Sequence, residues 1–108
     1  MHVESLIPRP VQSEPFRRSH QKFVPSRAGC YALCSATGTV LYIGLTENLN
    51  RRLGEHLDNS QKTAETLQGR AVLFHWIESG DTYGIERAWM NTHTQYEGTL
   101  PILNLVFS

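Results

Sequence analysis

Gly29-Cys30-Tyr31 and Tyr42-Ile43-Gly44 stand on either side of Thr37-Gly38, and this arrangement constrains the chain more than any other stretch. Thr37-Gly38 is a turn signal and the runs beside it are rich in strand formers, so a β-hairpin is predicted, with strands near residues 29–36 and 39–45. Pivoting the pairing about the turn sets Tyr31 opposite Gly44 and Tyr42 opposite Leu33. A loop of two or four residues produces that register directly, whereas one of three needs a bulge to restore it. With a side-chain period of two, both phenols fall on one face as diagonal neighbours. Gly44 is expected to leave an open slot beside Tyr31, wide enough for a backbone or a phosphate. Cys30, Ala32, Cys34, Leu41 and Ile43 are assigned to one face, and Tyr31, Leu33, Val40 and Tyr42 to the other. Both faces are largely apolar, which places the hairpin centrally with cover on two sides.

The remaining pattern points to an α+β fold: a small central three-stranded, mainly antiparallel sheet, the hairpin plus a third strand, flanked by helices. Residues 1–27 read as a Pro-containing arm, extended or loop, whose Val3, Leu6, Ile7, Phe16, Phe23 and Val24 are candidates to dock on a domain spanning 28–108. Thr46 is the expected N-cap of a helix marked by Leu49, Leu53 and Leu57. A polar stretch through Gly69 has room for another helical turn. Ala71–Ile77 reads as the third strand, Ser79-Gly80-Asp81 as a turn, and about 82–96 as a helix closed by Gly98. An apolar return segment, Leu100–Phe107, follows.

A chain of 108 residues suffices for one modest core and not for two. It shows neither an apolar run of membrane-span length nor a leader-like start, so a soluble, cytoplasmic protein without a membrane partner is expected. Cys30 and Cys34, four apart on one strand, have Cα atoms about 13 Å apart, beyond disulfide reach. They read as small buried hydrophobes. The formal net charge of zero conceals an asymmetry. Residues 1–28 carry Arg9, Arg17, Arg18, Lys22 and Arg27 against Glu4 and Glu14, while the rest holds five basic residues against eight acidic ones. Arg17, Arg18 and Lys22 are therefore candidate phosphate contacts, the alternative being an arm that only wraps the domain.

Helical spacing separates the tandem arginines. Arg51 has Glu47 four residues before it and Glu55 four after, the pattern of a solvated, charge-paired face. Arg52 has Asn48 and His56 at those positions and Leu49 and Leu53 beside it, so it is the one expected to reach across the sheet and hold a phosphate. His56 shares its face one turn later. Glu86 reads as a first-turn glutamate, hence either a partner of the helix dipole or, beside apolar Trp89 and Met90, a carboxylate whose burial a bound cation would offset. The histidines and cysteines show no zinc-ligand spacing.

Taken together, Gly-x-Tyr, Tyr-Ile-Gly, Asn48-Leu49-Asn50-Arg51-Arg52-Leu53 with His56, Ile85-Glu86-Arg87, Pro101 and Asn104 resemble the GIY-YIG nucleases over about residues 28–106. The resemblance implies a DNA endonuclease using one Mg²⁺ or Mn²⁺ ion on Glu86. In that arrangement Tyr31 activates or positions water beside Tyr42, Arg52 and His56 contact phosphate oxygens, and Gly44 and Asn104 belong to the substrate site. Which tyrosine takes the proton, and whether the DNA is single-stranded or duplex, stay open. The alternative is a non-catalytic nucleic-acid-binding or regulatory module on the same fold.

Overall fold

The computed structural model describes residues 1–105. Four strands among them, β1 (Gln12–Pro15), β2 (Gly29–Cys34), β3 (Val40–Thr46) and β4 (Leu73–Glu78), form one antiparallel sheet in the order β1-β4-β2-β3. The expected three-stranded sheet thus gains a strand, and the arm supplies it, with Gln12 opposite Trp76 and Pro15 opposite Leu73. Gln-Ser-Glu-Pro has no apolar alternation to announce a strand. Its pairing follows from the free edge of β4, and a proline at its end is tolerated because β1 is itself an edge.

The hairpin has the three-residue loop that requires a bulge. The Ser35 amide donates to the Thr39 carbonyl over 2.9 Å and the Gly38 amide to the Ser35 carbonyl over 3.0 Å. That leaves Ala36, Thr37 and Gly38 in the loop, with Gly38 at φ +86°, a left-handed conformation that glycine adopts without steric cost. The register slips between Leu33↔Tyr42 and Cys34↔Val40, so Leu41 is the extra residue. Beyond it Tyr31 faces Gly44 and Leu33 faces Tyr42, as the pivot about Thr37-Gly38 requires. The bulge exchanges two assignments: Leu41 packs with the tyrosines and Val40 with the cysteines.

Helix α1 (Leu49–Leu57) covers the tyrosine face through Leu49 and Leu53, joined there by Phe16, Val24 and Leu103. Burying each leucine is worth about 1.5–3 kcal/mol, so the seating of α1 is set by apolar contact and its polar residues are carried into place. The N-cap of α1 is Asn48, whose side chain accepts from the Arg51 amide over 3.0 Å. Thr46 stays in β3, and its hydroxyl accepts from the Asn48 amide instead. A single turn, α2 (Ser60–Thr63), follows under an Asn59 cap.

The cysteine face is closed by α3 (Thr82–Glu97), whose Trp89 packs with Val3 and Leu6 and donates to the Pro8 carbonyl over 2.8 Å. Of the arm's candidate anchors Val3, Leu6, Phe16 and Val24 are buried, whereas Ile7 and Phe23 are exposed. Asp81 caps α3 and Gly98 ends it. Glu86 therefore lies in the second turn, where the dipole of the helix end has faded. Both cysteines are free and buried. Leu100–Leu105 return towards β3 through a 3-10 turn, Ile102–Leu105; Val106 and Phe107 of the expected return segment lie outside the described residues. No helix of the described residues is long and apolar enough to cross a membrane.

Candidate active site

Tyr31 is fully buried, its ring stacked on Phe74 at 5.2 Å between centroids and on Tyr42 at 6.0 Å. The pairing with Gly44 allows this. A Cβ on Gly44 would lie 2.4 Å from the Tyr31 hydroxyl oxygen. The expected open slot is thus filled by the phenol itself, which crosses the strand where a side chain is missing. Gly44 admits the Tyr31 side chain rather than a phosphate.

Where that hydroxyl ends, α1 meets it. His56 Nε2 lies 2.6 Å away, and the Arg52 Nε–H donates to the same oxygen over 3.4 Å. Burial pushes the Tyr31 phenol well above its ordinary range, with the Tyr42 phenol adding to the rise and Arg52 opposing it. Burial lowers His56 to about 3, helped by the positive charges of Arg52 and Lys62. Both groups are therefore neutral in the free protein. Burial works against the Arg52 charge, but hydrogen bonds to Glu55 and Tyr31 hold it and the guanidinium stays protonated. Arg52 is 33% exposed and also donates to Glu55 over 3.0 Å. Arg51 is 63% exposed and, among the described residues, its side chain pairs only with Glu55, at 3.9 Å. Tyr42 meets His56 edge-on, with ring centroids 5.1 Å apart.

A residue that the sequence pattern passes over completes this cluster. Lys62 of α2 is fully buried, with Nζ lying 4.8 Å from the centroid of the Tyr42 ring. A cation over a desolvated ring gains about 2 kcal/mol, less than the several kcal/mol that an unpaired buried ammonium costs. Burial and then Arg52 push the amine below its usual value. Nothing in Ser60-Gln61-Lys62-Thr63 distinguishes it from a solvated turn, because four residues carry no apolar period.

Glu86 is half-buried on α3, whose Ile85, Trp89 and Met90 pack on the cysteine face. Its charge is felt at Cys30, whose thiol rises to about 12 chiefly through burial and then through this carboxylate. Among the described residues no hydrogen bond or ion pair joins Glu86 to Tyr31, Tyr42, Arg52 or His56. Burial raises the carboxyl group, with Arg87 acting in the opposite direction. No cluster of three metal-binding side chains occurs among the described residues. A half-desolvated carboxylate fits a hard divalent ion that fills its other positions with water and substrate oxygens, as Mg²⁺ and Mn²⁺ do. Asn104 touches the strand that carries the second phenol: it accepts from the Ile43 amide over 2.8 Å and donates to the Ile43 carbonyl over 2.9 Å. It closes the outer edge of β3 as a neighbouring strand would.

The arm's 3-10 segment, Arg18–Phe23, docks on the start of α1. The Asn50 side chain donates to the Gln21 and Val24 carbonyls over 2.8 and 2.9 Å, and the Gln21 side chain donates back to the Asn50 carbonyl over 2.9 Å. Arg17, Arg18 and Lys22 are exposed beside the helix that bears Arg52 and His56. Arg18 pairs with Asp58, and Lys22 Nζ lies 5.3 Å from the Phe23 ring centroid.

A search of curated proteins finds none that matches this sequence. The family model of the GIY-YIG catalytic domain matches residues 27–98, from the end of the arm to the cap of α3. That stretch holds both phenols, Arg52, His56, Lys62 and Glu86 in well over half of the chain, and so the protein belongs to the GIY-YIG catalytic domain family, a family of nucleases.

Proposed function

We propose that the protein is a metal-dependent endonuclease that hydrolyses DNA phosphodiester bonds, with Tyr31, Tyr42, Arg52, His56 and Glu86 as its catalytic groups and a cytoplasmic site of action. The observation that carries this reading is the Tyr31 hydroxyl held between His56 Nε2 at 2.6 Å and Arg52 Nε at 3.4 Å. Arg52 donates to the phenolic oxygen, which leaves the phenolic proton free to be donated to the imidazole. At its ordinary pKa a phenol is a weak base towards water, and burial, which outweighs the opposing Arg52 charge, leaves it neutral. An anionic phosphate arriving beside Arg52 and His56 offsets the positive charge that adds to burial in keeping the imidazole unprotonated. Transfer of the phenolic proton to His56 becomes less costly at that moment, and Arg52 stabilises the oxygen left behind. Tyr31 then accepts a proton from water as the water oxygen bonds to phosphorus and one P–O ester bond breaks. Arg52 also answers the charge that grows on the phosphoryl oxygens. Glu86 would hold the divalent ion, which when bound supplies positive charge for the leaving oxygen.

Asn104 orients the backbone of β3, and with it Tyr42 and Gly44. Arg17, Arg18 and Lys22 extend the phosphate contacts along α1. A second reading, a non-catalytic nucleic-acid-binding module, draws on the complete burial of Tyr31 and on the Glu55 carboxylate that occupies Arg52. Incubation of purified protein with Mg²⁺ or Mn²⁺ and single-stranded, duplex and branched DNA separates the two. Metal-dependent cleavage of any substrate supports the enzyme; binding without cleavage supports the module.

A further inference from the structure

Lys62 is a cation whose charge the described fold leaves unanswered. Its side chain is completely buried, and among the described residues its Nζ has no hydrogen-bond partner and no ion pair includes it. The Arg52 guanidinium and the neutral His56 imidazole of α1 lie near it, and its Nζ faces the Tyr42 ring. A methionine would fill the same volume without desolvating an amine, so packing alone gives no reason for a lysine here. An ammonium offers three donors, and a site with one guanidinium and one ammonium converging from two helices is shaped for an oxyanion. Arg52 is the member of the cluster that keeps substantial exposure.

We propose that Lys62 and Arg52 form a two-cation subsite for the backbone phosphate of a nucleic acid, with the Lys62 amine under the Tyr42 ring binding a non-bridging phosphate oxygen. This deepens the reading of the same site as a nuclease and rests on it. Arg52 alone is partly neutralised by Glu55, so a second cation is what makes the pocket net positive towards an incoming diester. Lys62 is thereby a substrate-contacting residue carried by a one-turn helix with no apolar period of its own.

The chain has two lysines, Lys22 and Lys62, which makes the test direct. Full-length protein labelled with ¹³C at the lysine Cε gives two signals, with exposed Lys22 as reference. Titrations are run in chelator, so that DNA is bound and not cut, with and without short single-stranded and duplex oligonucleotides. The Lys62 signal should titrate below that of Lys22 in the free protein and move up by about one pH unit or more with DNA, a tenfold or greater gain in proton affinity. Lys62→Met should remain folded, with a melting temperature at or above wild type, and lose about tenfold or more in oligonucleotide affinity; Lys62→Arg should recover part of it. A Lys62 signal indifferent to both oligonucleotides, or a folded Lys62→Met protein with wild-type affinity, KM and kcat, overturns the subsite and leaves the nuclease reading standing. A Lys62 response to DNA in a wild-type protein that cleaves nothing in Mg²⁺ or Mn²⁺ supports the subsite and removes the nuclease reading.

Discussion

The hydroxyl of Tyr31 and Nε2 of His56 meet at 2.6 Å in a place where neither side chain has appreciable contact with solvent. The phenolic oxygen accepts from the Arg52 Nε–H, and the phenol can donate its own proton to Nε2 when the imidazole carries its proton on Nδ1. The pair is neutral in the free protein because burial opposes charge on both rings.

This neutrality makes folding sensitive to acid. His56 is lowered from 6.5 to about 3 in the folded protein, so between those values the unfolded chain binds a proton that the native state excludes. Stability should be fully retained above about pH 6.5 and fall as pH drops towards 3, by up to about 1.4 kcal/mol per pH unit from this one group. Denaturant unfolding of wild type and His56→Gln between pH 5 and 7 isolates it, since carboxylates contribute mainly at lower pH. Parallel pH dependences for the two proteins would show that the imidazole is not excluded from protonation.

Gly44→Ala should be costly although it adds one methyl group. The new carbon would sit 2.4 Å from the Tyr31 hydroxyl oxygen and 2.5 Å from its Cζ, so the phenol must leave the strand and with it the His56 contact. A loss of about 1–3 kcal/mol is expected from overpacking, together with a large fall in cleavage rate. Thermal melts and single-turnover rates measure both; an alanine variant as stable and as active as wild type would mean the phenol does not work in this position.

The two adjacent arginines should behave very differently. Arg52→Ala removes the donor on Tyr31 and should reduce the rate by about 10²–10³. Arg51→Ala removes only a long ion pair to Glu55 and should change the rate less than twofold. Equal activities, or a dead Arg51→Ala, would reverse the assignment of helix faces.

Glu86→Ala should abolish metal-dependent cleavage and keep the fold, since Glu86 makes no ion pair or side-chain hydrogen bond among the described residues and its carboxylate is held against desolvation. Circular dichroism, Mn²⁺ binding and cleavage assays are the measurements. Undiminished cleavage by this variant, or by wild type in chelator, removes the ion from the mechanism.

Neutralising Arg17, Arg18 and Lys22 together should weaken DNA binding and flatten its salt dependence by about 0.9 per lost duplex contact, or 0.7 on single strands. Turnover at saturating DNA should survive, because these residues stand on the arm and outside the Tyr31 cluster. Affinity across a salt series decides it, and superimposable lines would leave the arm with packing alone.

What the sequence determined by itself was the local grammar: the hairpin pivot that pairs Tyr31 with Gly44, the separation of Arg52 from Arg51, and the helices with their apolar stripes. Those depend on periodicity and turn chemistry, which act over a few residues. Tertiary packing decided the rest. The bulge at Leu41 answers a loop length that Thr37-Gly38 alone does not specify. β1 became a strand because β4 offered an unpaired edge, and Thr46 lost the capping role because β3 kept it in the ladder. The slot opposite Gly44 closed because the phenol beside it had nowhere else to lie. Lys62 entered the site through the docking of a one-turn helix, a placement set by contacts between residues distant along the chain and carrying no signature in its neighbours.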